Sequence, residues 1–375
     1  MINQERLINN FLDLVKINSE SGYEASIQEY LKSYFRQLHV QVTEDNAGSY
    51  EYLGANNLIC TLAPYNAHDN SDKIYFTSHM DTVAPGKNIK PVISEDGYIY
   101  SDGTTVLGAD DKAGIAAILE LIHTLQDYDI AHGQIQFIIT VGEESGLEGA
   151  KVLDSTLLDA EYGYAVDASV PVGTTVIGAP TQMKLVATIH GKKAHASTPN
   201  KGISAINIAA KAISNMHLGQ IDHETTANIG RFEGGSATNV VADKVTLQAE
   251  ARSHSPQKVE AQINHMKKIF EATATNYGSS ATVETYQTYT GFKIDDQSKV
   301  TQVAQSSATQ LNLEPQTVIA GGGSDGNIIN GYGIPTVILG VGYEFIHTTE
   351  ERMEIKSLTA LAQQLLKITQ IANQG

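Results

Sequence analysis

Lys73-Ile74-Tyr75-Phe76-Thr77-Ser78-His79-Met80-Asp81-Thr82-Val83 is an apolar run that ends on a histidine and an acid. Lys73 to Ser78 reads as a strand, and its neighbours in sequence repeat the theme. Asn57 to Leu62, Gln134 to Val141 and Tyr162 to Val166 are further strand candidates. Between them Ile115, Ile118, Leu119, Ile122 and Leu125 recur at helical spacing after Asp110. Upstream, two amphipathic helices are expected, one carrying Leu7, Phe11, Leu14 and Val15 and the next Ile27, Tyr30, Leu31 and Phe35. The β-α-β rhythm predicts an α/β fold: a mostly parallel sheet sandwiched by helices.

Around Gly178 the rhythm changes. The chain then reads strand (Gln182 to His190), helix (Ile203 to Met216), strand (Ala227 to Phe232), strand (Val245 to Ala251), helix, strand (Ala281 to Tyr289). That β-α-β-β-α-β order is the ferredoxin-like α+β unit. Its second helix is well marked: Ser255 can cap it, Pro256 suits its first position, and Val259, Ile263, Met266 and Phe270 form one apolar face. From about Lys293 the first pattern resumes, through an apolar strand Pro335 to Val341 and a final helix from Ser357. The expected organisation is a larger domain in two parts, 1–178 and 293–375, with a smaller domain inserted over 179–292.

A chain of 375 residues suits two cores better than one. The formal charge of −17 argues against nucleic acid and against an anionic membrane surface, both of which select basic patches. The single cysteine, Cys60, excludes an intrachain disulfide and a thiolate metal cluster, so any metal must be held by His, Asp and Glu. The N-terminus lacks the basic-then-apolar order of a signal peptide, and a cytoplasmic location is expected.

Polar clusters follow directly on the expected strands: His79-Met80-Asp81, Glu143-Glu144, Asp167 and, a little beyond the last strand, His347. In an open α/β sheet this places them together at the carboxyl edge. Asp110-Asp111 joins them after the glycine-containing turn 103–108, where the two acids could equally serve the dipole of the helix they open. Two imidazoles and several carboxylates match the needs of a pair of Zn²⁺ ions about 3.5–4 Å apart with one carboxylate bridging. The period of two in His79-x-Asp81 is expected to put both side chains on one face, so that Asp81 orients the imidazole. Adjacent Glu143 and Glu144 point in different directions, which suits one to a metal and the other to a proton. Each cluster alone is as well explained by solvated charge; five at strand ends in one chain are not. In the inserted domain, Arg252 could pair with a substrate carboxylate and His195 could donate to an oxyanion, although a surface ion pair and a loop histidine are the plain readings of both.

The quoted motifs together resemble the peptidase T and carboxypeptidase G group of co-catalytic zinc peptidases, and peptidase-T-like proteins above all. The resemblance is carried by Ser78 to Val83, Leu107 to Gly114, Gly142-Glu143-Glu144-Ser145-Gly146, the histidine segment Gly191 to Gly202, Gly322 to Gly326 and Glu344 to Glu351. It implies two zinc ions per chain, for which Mn²⁺ or Co²⁺ could substitute. His79, Asp110 and Asp167 would hold one, and Asp110, Glu144 and His347 the other, with Asp110 bridging and followed by a cis peptide. Glu143 would be the general base and Asp81 the group that orients a ligand. His195 would reach the active site of a partner subunit, implying a homodimer through the inserted lid domain, and Arg252 and Asn239 would bind the terminal carboxylate of a short peptide. The implied activity is hydrolysis of short peptides, as a tripeptide aminopeptidase. Val166-Asp167-Ala168-Ser169 departs from the glycine-rich surroundings common in peptidase T, and the interval from Asp81 to Asp110 is shorter. The ligands themselves are intact.

Two rival activities are compatible with the residues. The same metals could serve an N-acyl amino acid deacylase or a carboxypeptidase. Gly322-Gly323-Ser324-Asp325-Gly326 also fits the G-x-S-x-G pattern of a serine hydrolase with His347 downstream, but that reading leaves the five acidic and histidine clusters unexplained.

Overall fold

The computed structural model describes residues 1–375. The chain divides into two compact units. One comprises Met1–Gly178, Lys293–Ala320 and Ser324–Gly375; the other Ala179–Phe292 together with Gly321–Gly323.

In the larger unit a nine-stranded sheet is built around four parallel strands, Ile135–Thr140, Ile74–His79, Tyr162–Ala168 and Thr336–Gly340. Antiparallel strands flank them on both sides: Gln41–Glu44 and Leu58–Leu62 at one edge, Thr174–Ala179 toward the other. The sheet is therefore parallel at its centre and mixed overall. All six residues of Ile74–His79 are buried, because helices cover both of its faces. Ile74 and Phe76 join the main core, to which the helices Gln4–Lys16, Ala109–Asp127 and Ile355–Ala372 contribute; Tyr75 points the other way, into a smaller core with Leu153 and Ile329. Each such apolar side chain taken from water contributes roughly 1.5–3 kcal/mol. The same alternation sets the directions at the end of the strand: Ser78 lies on the Phe76 side and His79 on the Tyr75 side.

Thr174–Ala179 is a strand where sequence reading placed only the change of rhythm. It is buried throughout, so it lacks the alternation that would advertise it. A third, four-stranded sheet made from short pieces (Val92–Ile93, Tyr98–Tyr100, Tyr343–Glu344, Arg352–Glu354) was equally invisible, since two- and three-residue strands carry no period.

The smaller unit is a ferredoxin-like sheet. Its strands Thr225–Gly234, Lys244–Ser253, Thr181–His190 and Ala281–Tyr289 lie side by side in that order, antiparallel throughout. The helices Ala205–Ser214 and Pro256–Asn276 bury Ile208, Ala212, Val259, Ile263, Met266 and Phe270 against it. Ser255 caps the second helix through a bond from the Lys258 amide, and Pro256 occupies its first position.

Candidate metal centre

His79 is the last residue of its strand and is buried. Its Nε2 lies 3.0 Å from Oδ1 of Asp110 and 3.9 Å from Oδ1 of Asp167. The other oxygen of Asp110, Oδ2, lies 3.3 Å from Nε2 of His347, which is itself 2.9 Å from Oε1 of Glu144. One carboxylate thus faces two imidazoles, one with each oxygen. The structure brings together all five residues expected as ligands, His79, Asp110, Glu144, Asp167 and His347. Asp111 also comes within ligand distance of His79 and Asp167, but its Oδ2 is engaged by the hydroxyl of Ser78.

Asp110 and Asp111 are not first-turn helix acids. Both have non-helical backbone angles within Ala109–Asp127, the peptide between them is cis, and regular helix begins only after them. The dipole reading of the pair is corrected accordingly. Asp81 also arrives by another route than expected. The strand stops at His79, so alternation does not carry on to Asp81; the loop turns it back under the imidazole. His79 Nδ1 lies 3.1 Å from the carbonyl oxygen of Asp81 and 3.4 Å from its carboxylate. That carboxylate accepts the backbone amides of Glu143 at 3.0 Å and Glu144 at 3.1 Å, and the hydroxyl of Ser21 at 2.7 Å. It therefore ties the two glutamates to the histidine loop.

Two further acids, neither singled out as a site residue from sequence, hold the site by its backbone. Glu351, 2 % exposed, accepts the amides of Leu107 and Gly108 through Oε2, both at 2.8 Å, and that of Asp110 through Oε1 at 3.0 Å. Glu24, fully buried, accepts the amides of Gly22 and Gly142 through one oxygen and of Gly54 through the other. Gly142 has a φ of +59°, and a side chain there would run into Leu53 at 2.5 Å, so the turn presenting Glu143 needs glycine. Lys112 is buried beside these acids and donates to the carbonyl of Asp81 at 3.2 Å; burial pulls its ammonium below the ordinary lysine value. Tyr343 donates its hydroxyl to Asp167 at 3.0 Å. Glu351 lies 241 positions from Asp110 and Glu24 lies 118 from Gly142; of these partners Glu351 and Lys112 fall within the motifs that carry the family resemblance.

The electrostatics of the cluster come from crowding. Burial raises Glu143 well above its ordinary range, and the charge of Asp167 adds to the effect. Burial likewise raises Asp167, with the charge of Asp110 behind it. Asp110 goes down: burial opposes its ionisation, but bonds to His347 and His79 win. His347 is pushed up to about 10 by Asp110 and Glu144. His79 also rises, since its bonds to Asp110 and Asp81 outweigh burial. Asp325, whose Oδ1 is buried without a hydrogen-bond partner, lines a small void with Thr77, Ser78, His79, Ala165 and Asp167. Asp111 Oδ1 is orphaned in the same way. Beside the two amide-holding acids Glu24 and Glu351, the carboxylates of Asp81, Asp110, Asp111, Glu143, Glu144, Asp167 and Asp325 are set against two imidazoles and one lysine, and form a donor set that fits divalent cations.

The model of peptidase family M20/M25/M40 matches residues 75–370. The chain belongs to that family. A tripeptidase from Staphylococcus aureus subsp. aureus Mu50 superimposes with a TM-score of 0.96 and 60 % identity, covering 100 % of both chains. The aminopeptidase PepT from Bacillus cereus ATCC 10987 superimposes with a TM-score of 0.90 and 53 % identity over 99 % of each chain. The uncharacterized protein YqjE of Bacillus subtilis (strain 168) is 52 % identical over 373 residues, covering 99 % of this chain and 100 % of its own. This M20-family chain is thus a peptidase, a hydrolase of peptide bonds, as the motifs implied.

The remaining expected site residues lie in the smaller unit. His195 and Asn239 are exposed on neighbouring loops joined by a bond from the Ala196 amide to the Asn239 carbonyl at 2.9 Å, and His195 Nδ1 lies 2.7 Å from the Ser197 hydroxyl. Arg252 is on the strand Lys244–Ser253. The serine-hydrolase reading of Ser324 fails on placement. Ser324 is 2 % exposed and its Oγ accepts the Gly326 amide, as the N-cap of the short helix Asp325–Gly331. No helix is long and apolar enough to cross a membrane.

Proposed function

We propose that this peptidase is a cytoplasmic di-zinc tripeptide aminopeptidase, with Mn²⁺ or Co²⁺ able to substitute for zinc. The observation that carries the reading is the placement of His79 and His347 on opposite oxygens of Asp110, at 3.0 and 3.3 Å. A carboxylate used in that way can bridge two cations. His79, Asp110 and Asp167 would hold one ion, and Asp110, Glu144 and His347 the other. Bound there, two such ions would polarise the scissile carbonyl and make a water nucleophile available near neutral pH.

The chain itself supplies the rest. Glu143 takes the proton of the attacking water on its carboxylate and gives it to the nitrogen of the leaving amine. In the metal-free chain its burial, with the charge of Asp167 behind it, raises its affinity for a proton. Asp81 steadies both the imidazole of His79 and the backbone of the glutamate pair. His195 is assigned as donor to the developing oxyanion, and Arg252 and Asn239 as binders of the peptide's terminal carboxylate. Tripeptides are favoured because the tripeptidase from Staphylococcus aureus and the aminopeptidase PepT from Bacillus cereus are each more than half identical and align along nearly the whole chain. The resemblance also favours a homodimer formed through the smaller unit, which sedimentation in solution would test.

The decisive experiment pairs metal content with hydrolysis of a free-amine tripeptide, for wild type and Glu143→Ala. Two ions per wild-type chain, with a variant that keeps its metal and loses cleavage, is the expected result. Metal binding with hydrolysis of N-acetylated amino acids in place of tripeptides would move the activity to the deacylases. Absence of bound metal from active wild type would overturn the reading.

A further inference from the structure

Arg252 and Glu250 lie two residues apart on one strand and share a face, while Ala249 and Ala251 turn to the buried side. Gln182 stands directly opposite Arg252 on the adjacent strand. Glu250 Oε1 accepts Arg252 Nε at 2.8 Å, and Glu250 Oε2 accepts Gln182 Nε2 at 2.8 Å. Arg252 Nη1 donates to the carbonyl of Gly321 at 3.3 Å. The next two residues pass close to neighbouring side chains. A side chain at Gly323 would meet the Tyr289 ring at 2.6 Å, and one at Gly322 would lie 3.7 Å from Arg252 Nη1. The guanidinium is thus held at Nε and at one Nη1 proton, and the edge formed by Nη2 and the second Nη1 proton is the one left to face a ligand.

We propose that Glu250, set in place by Gln182, is a positioning residue that presents the Nη1/Nη2 edge of Arg252 to the free C-terminal carboxylate of a peptide, and so determines preference for free-acid over C-terminally blocked substrates. The inference rests on the assignment of Arg252 as carboxylate binder. Two effects of Glu250 compete. Its negative charge partly offsets the cation, which taken alone weakens carboxylate binding. Its hold removes rotamer freedom that a loose arginine would have to surrender on binding, and it turns the fork outward. Arg252 and Glu250 are 31 % and 32 % exposed, where water screens the charge effect, so the positioning effect dominates.

The test measures kcat and KM on one tripeptide as its free acid and as its C-terminal amide, for wild type, Glu250→Ala, Glu250→Gln, Arg252→Ala and the double variant Glu250→Ala/Arg252→Ala. Arg252→Ala should lower the acid-to-amide ratio of kcat/KM by roughly a hundredfold, and Glu250→Ala by roughly tenfold, chiefly through KM for the acid. Glu250→Gln keeps an acceptor for Nε and should fall between Glu250→Ala and wild type. The double variant should match Arg252→Ala, since Glu250 acts only through the arginine. An equal loss on both peptides, or a ratio that rises when Glu250 is removed, would overturn the inference. If Arg252→Ala leaves the ratio unchanged, the assignment of Arg252 fails and takes this inference with it. Should Glu250→Ala not fold, Gln182→Ala removes the other hold and carries the same expectation.

Discussion

Asp81 holds Glu143 by its backbone: Oδ1 of Asp81 accepts the Glu143 amide at 3.0 Å, while Oδ2 takes the Glu144 amide at 3.1 Å. An asparagine cannot copy this, because one of its two terminal atoms is a donor that would face a donor. Asp81→Asn should therefore lower kcat/KM by at least about a hundredfold and cost about 1–3 kcal/mol of stability. Initial rates and thermal unfolding of the same preparation would show both losses; a loss of rate with no loss of stability would confine Asp81 to orienting His79.

Glu351 leaves a different signature. Its removal would strip the acceptor from three backbone amides that shape the approach to Asp110. Glu351→Ala should weaken metal retention by roughly 10–100-fold. Competition with a chromophoric chelator measures this without reference to turnover, and unchanged affinity would show the loop to be held by other means.

Metal removal should make stability fall as pH rises. Glu143 and Asp167 have folded-state pKa values raised above the ordinary 4.5 and 3.8 by burial and by the charge of neighbouring acids, and His79 is raised above 6.5 by its bonds to Asp110 and Asp81. For each, the folded chain binds the proton more tightly than the unfolded chain, so their stabilisation is complete below the ordinary values and is lost as pH climbs through the raised ones. Asp110, lowered, acts in the opposite sense and matters only in strong acid. Urea midpoints of chelator-treated protein should therefore decline from about pH 5 upward, and a midpoint flat to pH 8 would contradict the crowding described.

Cys60 offers a check on the core. It is fully buried on the strand Leu58–Leu62, and burial pushes its thiol well above the usual range. Iodoacetamide should label none of it in native protein and one thiol per chain in denaturant. Rapid native labelling would mean that this edge of the sheet opens readily.

Much of this centre was legible from sequence because a parallel strand buried on both faces is a continuous apolar run, and the residue that ends the run must lie at the sheet's carboxyl edge. His79, Glu143, Glu144 and Asp167 were found in that way. The ferredoxin-like order was equally plain, since each of its longer strands and helices carries its own period and cap. Glu24 and the role of Glu351 were hidden for a physical reason. A carboxylate that accepts backbone amides requires nothing of the side chains it touches, so it leaves no pattern in the residues around it. Thr174–Ala179 escaped because a short strand buried on both sides, with Gly178 in it and Pro180 directly after it, resembles a connection.

Gly321, Gly322 and Gly323 count with the smaller unit although Ala320 before them and Ser324 after them count with the larger. The smaller unit is therefore not a cassette with two ends. A recombination that exchanged 179–292 alone between relatives would separate Arg252 from the carbonyl that steadies it, and a donor domain would arrive with its arginine aimed for another chain's glycine turn. To keep Arg252 with its carbonyl, such an exchange would have to carry 321–323 along with 179–292.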